Sequence, residues 1–260
     1  MQFGIDFKGG TLLSRNYLNY HRFSEDLDFI HRDSHEWREL NRNQREKKIK
    51  QFIDVFVPKL KEVADSLDLE FDTDRANTKF CTILHGRAMY TFKIYYSDNR
   101  YIKIEINFVE RMIHQPVEVS VKAITDFFDS RELMFTLGLI IENFTVLSYP
   151  MEEIILEKYR AILTRNELKE RDLFDLFLIK DVFKVDPTQI VEKIRNSSLI
   201  KRELSKTISD KLAALEKNEF FKSKERIEDL AIVRYNLSEF EVFKEKIKPT
   251  LVKVCKLFLQ

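Results

Sequence analysis

Two aspartates, Asp26 and Asp28, alternate with Leu27 and Phe29. Alternation at period two is the pattern of a strand, in which residues two apart share a face. The two carboxylates then stand side by side on one face, while Leu27 and Phe29 turn toward a core. Neighbouring carboxylates repel each other and make their face strongly anionic. A hard divalent cation, Mg²⁺ or Mn²⁺, shared with substrate phosphates, is the natural partner of such a pair. An exposed strand edge with two solvated acids has the same pattern, so the pair alone does not decide. Gly9-Gly10-Thr11, about fifteen residues earlier, supplies the complement. Glycines between a strand and a helix let backbone N–H groups approach an anion, and the helix start adds partial positive charge. The Thr11 hydroxyl is a further donor. A phosphate cradle followed by an acid pair is the equipment of phosphoryl transfer, which asks mainly for positioning and charge stabilisation. A third acid is expected from a neighbouring strand. In Tyr101–Val109, Ile102, Ile104 and Ile106 define one face and Lys103, Glu105 and Asn107 the other. Glu105 is the candidate to complete a carboxylate triad; a surface glutamate on a half-exposed strand is the competing reading.

These residues need elements to position them. Phe3, Ile5 and Phe7 alternate with Gly4 and Asp6, a short strand that the diglycine ends. A helical stretch runs from Thr11 to about Tyr20, and Leu27 with Phe29 marks a second strand. Asp33 and Glu36 have capping-box spacing and predict a helix to about Leu67, kinked or split at Pro58. Leu69–Asp72, Lys79–Leu84, Ala88–Tyr96 and Tyr101–Val109 read as strands, with turns at His85-Gly86-Arg87 and Ser97-Asp98-Asn99. Phe144–Leu147 is a last strand. From Pro150 the pattern turns helical: Met151–Arg165, Leu173–Phe183, Pro187–Arg195, Leu199–Glu216, and more between Ile227 and Phe258. The expected architecture is α+β, a mixed sheet with helices over 1–149 and a helical domain over 150–260.

With 260 residues, 44% hydrophobic and 33% charged, the chain is long enough for a substantial core and too apolar for disorder. No apolar run is long enough to span a membrane, and no signal peptide is visible. Cys81 and Cys255 lie far apart and read as reduced packing residues of a cytoplasmic protein. The five histidines form no metal spacing; His21, close to the acid pair, is expected at the surface. Residues 151–260 carry 23 Lys/Arg against 20 Asp/Glu, and 193–226 alone carry 10 against 5. That stretch is a candidate surface for RNA phosphates, with a solvated helix face as the plainer reading.

Lys8-Gly9-Gly10-Thr11-x-Leu13 and Arg22-Phe23-Ser24-Glu25-Asp26-Leu27-Asp28-Phe29 together resemble the signature of the AbiEii/AbiGii-type toxins. That family includes the MenT group and belongs to the DNA polymerase β-like nucleotidyltransferase superfamily. Lys158-Tyr159-Arg160-Ala161-Ile162-Leu163-Thr164-Arg165, then Arg171-Asp172-Leu173-Phe174-Asp175-Leu176, is similar to the family's later motif. The resemblance covers residues 3 to about 180. It implies a nucleotidyltransferase core with a helical C-terminal part, acting as the toxin of a toxin–antitoxin or abortive-infection pair. It further implies transfer of nucleoside monophosphate from an NTP, with tRNA 3′ ends as known acceptors, and a cognate antitoxin as partner. Carried onto this chain, Lys8, Gly9, Gly10 and Thr11 hold the triphosphate and Ser24 contacts phosphate. Asp26 and Asp28 bind metal, with Glu105 joining them on a looser alignment. Lys158 neutralises the triphosphate, and Asp172 and Asp175 are later catalytic or orienting acids. Spacings of three and four also fit Arg171, Asp172 and Asp175 as simple helix support. The family has one or more helices ahead of the glycine motif; here eight residues precede Gly9, so the first strand is expected to be nearly uncovered. Two other readings compete: a small-molecule nucleotidyltransferase of the antibiotic-modifying kind, and a non-catalytic nucleotide-binding regulator of the same fold.

Overall fold

The N-terminal alternation forms β1 (Ile5–Lys8), which lies inside a sheet rather than uncovered at its rim. In this computed structural model the described residues are 3–24, 26–84, 88–121, 144–182, 184–197 and 201–260, without the side chains of 201–203. The expected turn at His85-Gly86-Arg87, Glu25, Phe183 and Leu199 fall outside them. β1 runs antiparallel to β2 (Asp26–His31) and parallel to β7 (Phe144–Ser148). β2 runs parallel to β5 (Arg100–Asn107), which pairs antiparallel with β4 (Met89–Ser97), and β4 pairs antiparallel with β3 (Cys81–Leu84). On the other side β7 pairs antiparallel with β6 (Val117–Val121). Among the described residues the order is β3-β4-β5-β2-β1-β7-β6, a mixed seven-stranded sheet of α+β type. The acid-bearing strand β2 therefore sits in the middle, and Asp6 and Phe7 of β1 are buried. The expectation of a bare first strand fails because β2 and β7 flank it and Phe3 packs edge-on against Phe56.

Period-two patterning gives the sheet one apolar and one polar face. Ile104, Ile106, Tyr90, Phe92 and Ile94 pack with Ile49, Ile53, Phe56, Val57 and Leu60 in one core. The latter five come from α3 (Arg42–Ser66), a 25-residue helix. The predicted single helix is in fact two, α2 (Ser34–Glu39) and α3, and it breaks at Leu40-Asn41 instead of Pro58. Leu40 is extended and Asn41 caps α3, its side chain accepting from the Gln44 amide at 3.0 Å. Asp33 makes no side-chain cap. Pro58 is exposed and α3 runs through it. Ahead of β2, α1 (Gly9–Leu12) continues as a π-helical turn, Leu13–Tyr17, and ends before Asn19 and Tyr20, both at positive φ. Two strand expectations need correction. Leu69–Asp72 contributes only an isolated bridge, Glu70 to Tyr95, and β6 had not been anticipated.

The chain clusters into two units. The sheet unit comprises Met1–Asn19, Ser24–Arg111 and Pro116–Tyr149; the helical unit comprises Tyr20–Phe23, Met112–Gln115 and Pro150–Gln260. In the latter, α4 (Met151–Thr164), α5 (Glu170–Leu178), α6 (Pro187–Ser197), α7 (Lys201–Glu216), a 3₁₀ turn (Ile227–Asp229) and α8 (Leu237–Leu259) follow one another. Phe174 and Phe177 of α5 pack against Phe240 of α8. The Tyr20–Phe23 segment joins this unit through backbone bonds: Phe23 donates to Leu230 and Ile232 donates to His21, each at 2.9 Å. Among the described residues no helix is long and apolar enough to cross a membrane. Cys81 and Cys255 are buried free thiols.

Candidate active site

Register assembles the polar face. Lys8 of β1 pairs with Asp28, Asp28 pairs with Glu105 of β5, and Glu105 pairs with Thr91 of β4, so these four form one cross-strand row. The next row holds Asp26, Lys103 and Lys93. A one-residue slip would turn all of these toward the apolar core, which is why the hydrophobic pattern fixes their placement.

Gly9 closes the row from above. It has φ of +83°, and a Cβ there would lie 2.1 Å from Asp28 Oδ2. Only a residue without a side chain brings the backbone this close to the carboxylate. Thr11, buried behind the diglycine, turns its hydroxyl to Ser24 Oγ at 2.9 Å and to the Asp26 carbonyl. It ties the start of the helix to the start of the acid strand. Thr11 and Ser24 are thus brought together with Asp26, but the Thr11 hydroxyl is engaged internally.

The charges on this face answer one another. Lys103 Nζ is 2.8 Å from Asp26 Oδ2 and 3.5 Å from Glu105 Oε1. Thr91 donates to Glu105 at 3.2 Å. Desolvation, and next the negative charge of Glu105, push the Asp28 carboxyl up to about 6, with Asp26 adding to the rise and Lys8 opposing it. Lys8 is paired with buried Glu110, which also accepts from Tyr149 at 3.2 Å. Lys103 and Glu110 were not singled out from the sequence. The signal for Lys103 was present, since it shares the Glu105 face of Tyr101–Val109.

The donor chemistry fits a hard divalent cation. Asp26 and Asp28 offer oxygen ligands on one strand face, and an ammonium already occupies the anionic gap between Asp26 and Glu105. Magnesium commonly takes only one or two carboxylates and completes its shell with water and phosphate. The three acids do not form a ready-made triad: among the described residues no three Asp, Glu, His or Cys side chains are arranged to hold a metal ion.

Lys158, Asp172 and Asp175 are brought together in the helical unit. Lys158 Nζ lies 2.8 Å from Asp172 Oδ1 and 2.6 Å from Asp175 Oδ2, and all three residues are buried. Arg22 grips Asp175 bidentately, both bonds 2.7 Å, and His21 Nε2 lies 2.7 Å from Asp175 Oδ1. Arg165 pairs with Asp172. Desolvation works to raise the Asp175 carboxyl, but Lys158 and then Arg22 hold it well below the usual carboxylate range. His21 is therefore buried, contrary to the surface position expected for it, because Asp175 gives its ring a partner. Desolvation lowers the His21 pKa against the pull of Asp175.

A glycine turn laid against an acid pair, on a mixed sheet followed by helices, is the arrangement expected of a nucleotidyltransferase. A family model described as "Nucleotidyl transferase AbiEii toxin, Type IV TA system" matches residues 6–250, and the chain belongs to that family. The solved structure of MenT4, a nucleotidyltransferase toxin of Mycobacterium tuberculosis, is similar over 100% of this chain and 87% of its own, with 14% identity and a TM-score of 0.39. No curated protein matches the sequence.

Proposed function

We propose that this toxin-family nucleotidyltransferase is metal-dependent and transfers nucleoside monophosphate from an NTP to an RNA acceptor, tRNA being the class the family resemblance points to. The observation that supports this reading is the close packing of the Gly9 backbone on Asp28, where a Cβ would lie 2.1 Å from the carboxylate. Asp26 and Asp28 would hold Mg²⁺ or Mn²⁺, and the cation would supply charge neutralisation at the α-phosphorus and on departing pyrophosphate. Gly9 and Gly10 bind the phosphate tail through backbone N–H groups. Thr11 and Ser24 fix the diglycine relative to Asp26, and Lys8, held by Glu110, adds positive charge beside Asp28. Glu105 accepts the proton of the attacking hydroxyl, oriented by Thr91.

Lys158 would neutralise the triphosphate and Asp172 or Asp175 would act as a catalytic or orienting acid, as the family resemblance implies; within the helical unit their ion network grips Arg22. The family's toxin role makes a cognate antitoxin and a cytoplasmic setting part of the same reading.

The test is transfer of label from α-phosphate-radiolabelled NTPs to bulk tRNA in the presence of Mg²⁺, with a panel of aminoglycosides as competing acceptors. Labelled RNA with the wild type and none with Asp26→Ala/Asp28→Ala is the expected outcome. Label on the aminoglycosides alone would move the reading to the small-molecule alternative, and wild-type label in the double variant would sink the metal assignment.

A further inference from the structure

A cleft of about 640 Å³ opens at the turn between β4 and β5, lined by Asp26, Tyr96, Asn99, Arg100, Tyr101 and Lys103. All six belong to the sheet unit. The volume lies in the range of small-ligand sites, which hold something the size of a nucleotide. The lining names the chemistry. Two phenol rings offer stacking faces, Asn99 offers an amide for a base edge, and Arg100 and Lys103 offer positive charge for a phosphate. Tyr96 is 51% exposed. Tyr101 is braced, its ring 5.2 Å from that of Tyr95 and under the Lys93 ammonium at 5.0 Å. A braced ring beside an accessible one makes a platform that loses little freedom when a base settles on it.

Position decides which nucleotide. Gly9 packs on Asp28, so the triphosphate cradle lies at that end of the acid pair. The cleft begins at Asp26, two residues along β2, roughly 7 Å away. Neither the diglycine nor Asp28 lines it. The two acids therefore stand between the phosphate cradle and the cleft, as they must between a donor nucleotide and its acceptor.

We propose that this cleft is the acceptor subsite, taking the terminal nucleotide of a single-stranded RNA end. Its base stacks on Tyr96 and Tyr101, and its phosphate meets Arg100 and Lys103. The inference rests on the RNA-directed transfer proposed above.

The test uses the full chain and two probes: a short 5′-fluorescein-labelled single-stranded RNA read by anisotropy, and each NTP with Mg²⁺ read by calorimetry. Tyr96→Ala is expected to weaken RNA binding about tenfold, Tyr96→Phe to retain it, and Tyr96→Ala/Arg100→Ala to weaken it further, with NTP affinity unchanged. Tyr96 and Arg100 are exposed, so circular dichroism melts should match the wild type. Wild-type RNA affinity in Tyr96→Ala/Arg100→Ala overturns the proposal, as does a wild type that binds no RNA. Lost NTP affinity in the same variants also overturns it, by making the cleft a donor-base site. If the wild type binds RNA through Tyr96 yet neither binds nor transfers NTP, the transferase reading falls while the cleft assignment stands.

Discussion

Gly9 concentrates the chemistry of the sheet unit into one atom's absence. Adding a methyl group at φ +83°, 2.1 Å from Asp28 Oδ2, combines backbone strain with a collision. Gly9→Ala should cost about 2 kcal/mol of stability from the backbone alone and should abolish NTP transfer; a urea melt and the labelling assay check both. A second residue-scale prediction concerns His31, buried beneath the stacked ring of Trp37 at 4.0 Å and accepting from the Asp33 amide at 3.1 Å. Desolvation lowers its pKa to about 4, so the fold holds the ring neutral while the unfolded chain titrates near 6.5. Between those values unfolding takes up a proton. Stability from this ring is thus full above about pH 6.5 and falls by up to about 3 kcal/mol as pH drops toward 4. Unfolding followed by Trp37 fluorescence across that window, wild type against His31→Phe, isolates the slope; equal slopes would reject it. At this scale the diglycine and the acid pair were legible because each is a short run whose residue types carry the chemistry. Lys103 was legible as a member of the Glu105 face, but strand register, not spacing, pairs it with Asp26; Glu110 was not legible, because only the return of the chain brings it to Lys8.

The elements show where local signals compete. Pro58 carries a strong helix-breaking signal, yet α3 runs through it, since Ile53, Phe56, Val57 and Leu60 are buried in the sheet core on either side. Burial outweighs the lost backbone bond and the ring clash, costs that persist in the folded helix. Pro58→Ala should therefore raise stability by about 1–3 kcal/mol, seen as a higher melting temperature without loss of transfer. The break at Leu40-Asn41 was legible only as a cap: asparagine is among the best N-cap residues, but the charged, helix-compatible stretches on both sides, Glu36–Glu39 and Arg42–Lys48, mask it. β6 had an alternating Val117-Glu118-Val119-Ser120-Val121 pattern in plain view behind Pro116. Leu69–Asp72 had a similar pattern but pairs with the sheet only at Glu70. Alternation shows that a strand is possible; whether a neighbouring edge is available to pair with it is a property of the whole sheet.

At the scale of the molecule, the helical unit is organised around charges that water does not reach. Asp175 is fully buried and gathers Arg22, His21 and Lys158. Removing one partner of a buried ion pair leaves uncompensated charge, typically a loss of 3–5 kcal/mol. Arg22→Met should show a loss of that order in chemical denaturation, and Arg22→Lys should recover only part, since an ammonium cannot reproduce the two-pronged grip. The sequence placed Asp175 and Lys158 in one motif but gave no hint of Arg22 or His21 as partners, because more than half the chain separates them.

The four residues Tyr20–Phe23 have a further consequence, one for how such a chain could be divided. They belong with the helices, although the chain enters and leaves them through the sheet unit. A cut or crossover after Tyr149 would look clean on paper but would carry Arg22 and His21 away with the wrong piece. The 150–260 fragment would keep Asp175 and lose the fork that grips it. The two halves therefore should not travel as interchangeable cassettes: a hybrid keeps its buried charges matched only if the short N-terminal loan is exchanged along with the helices it serves.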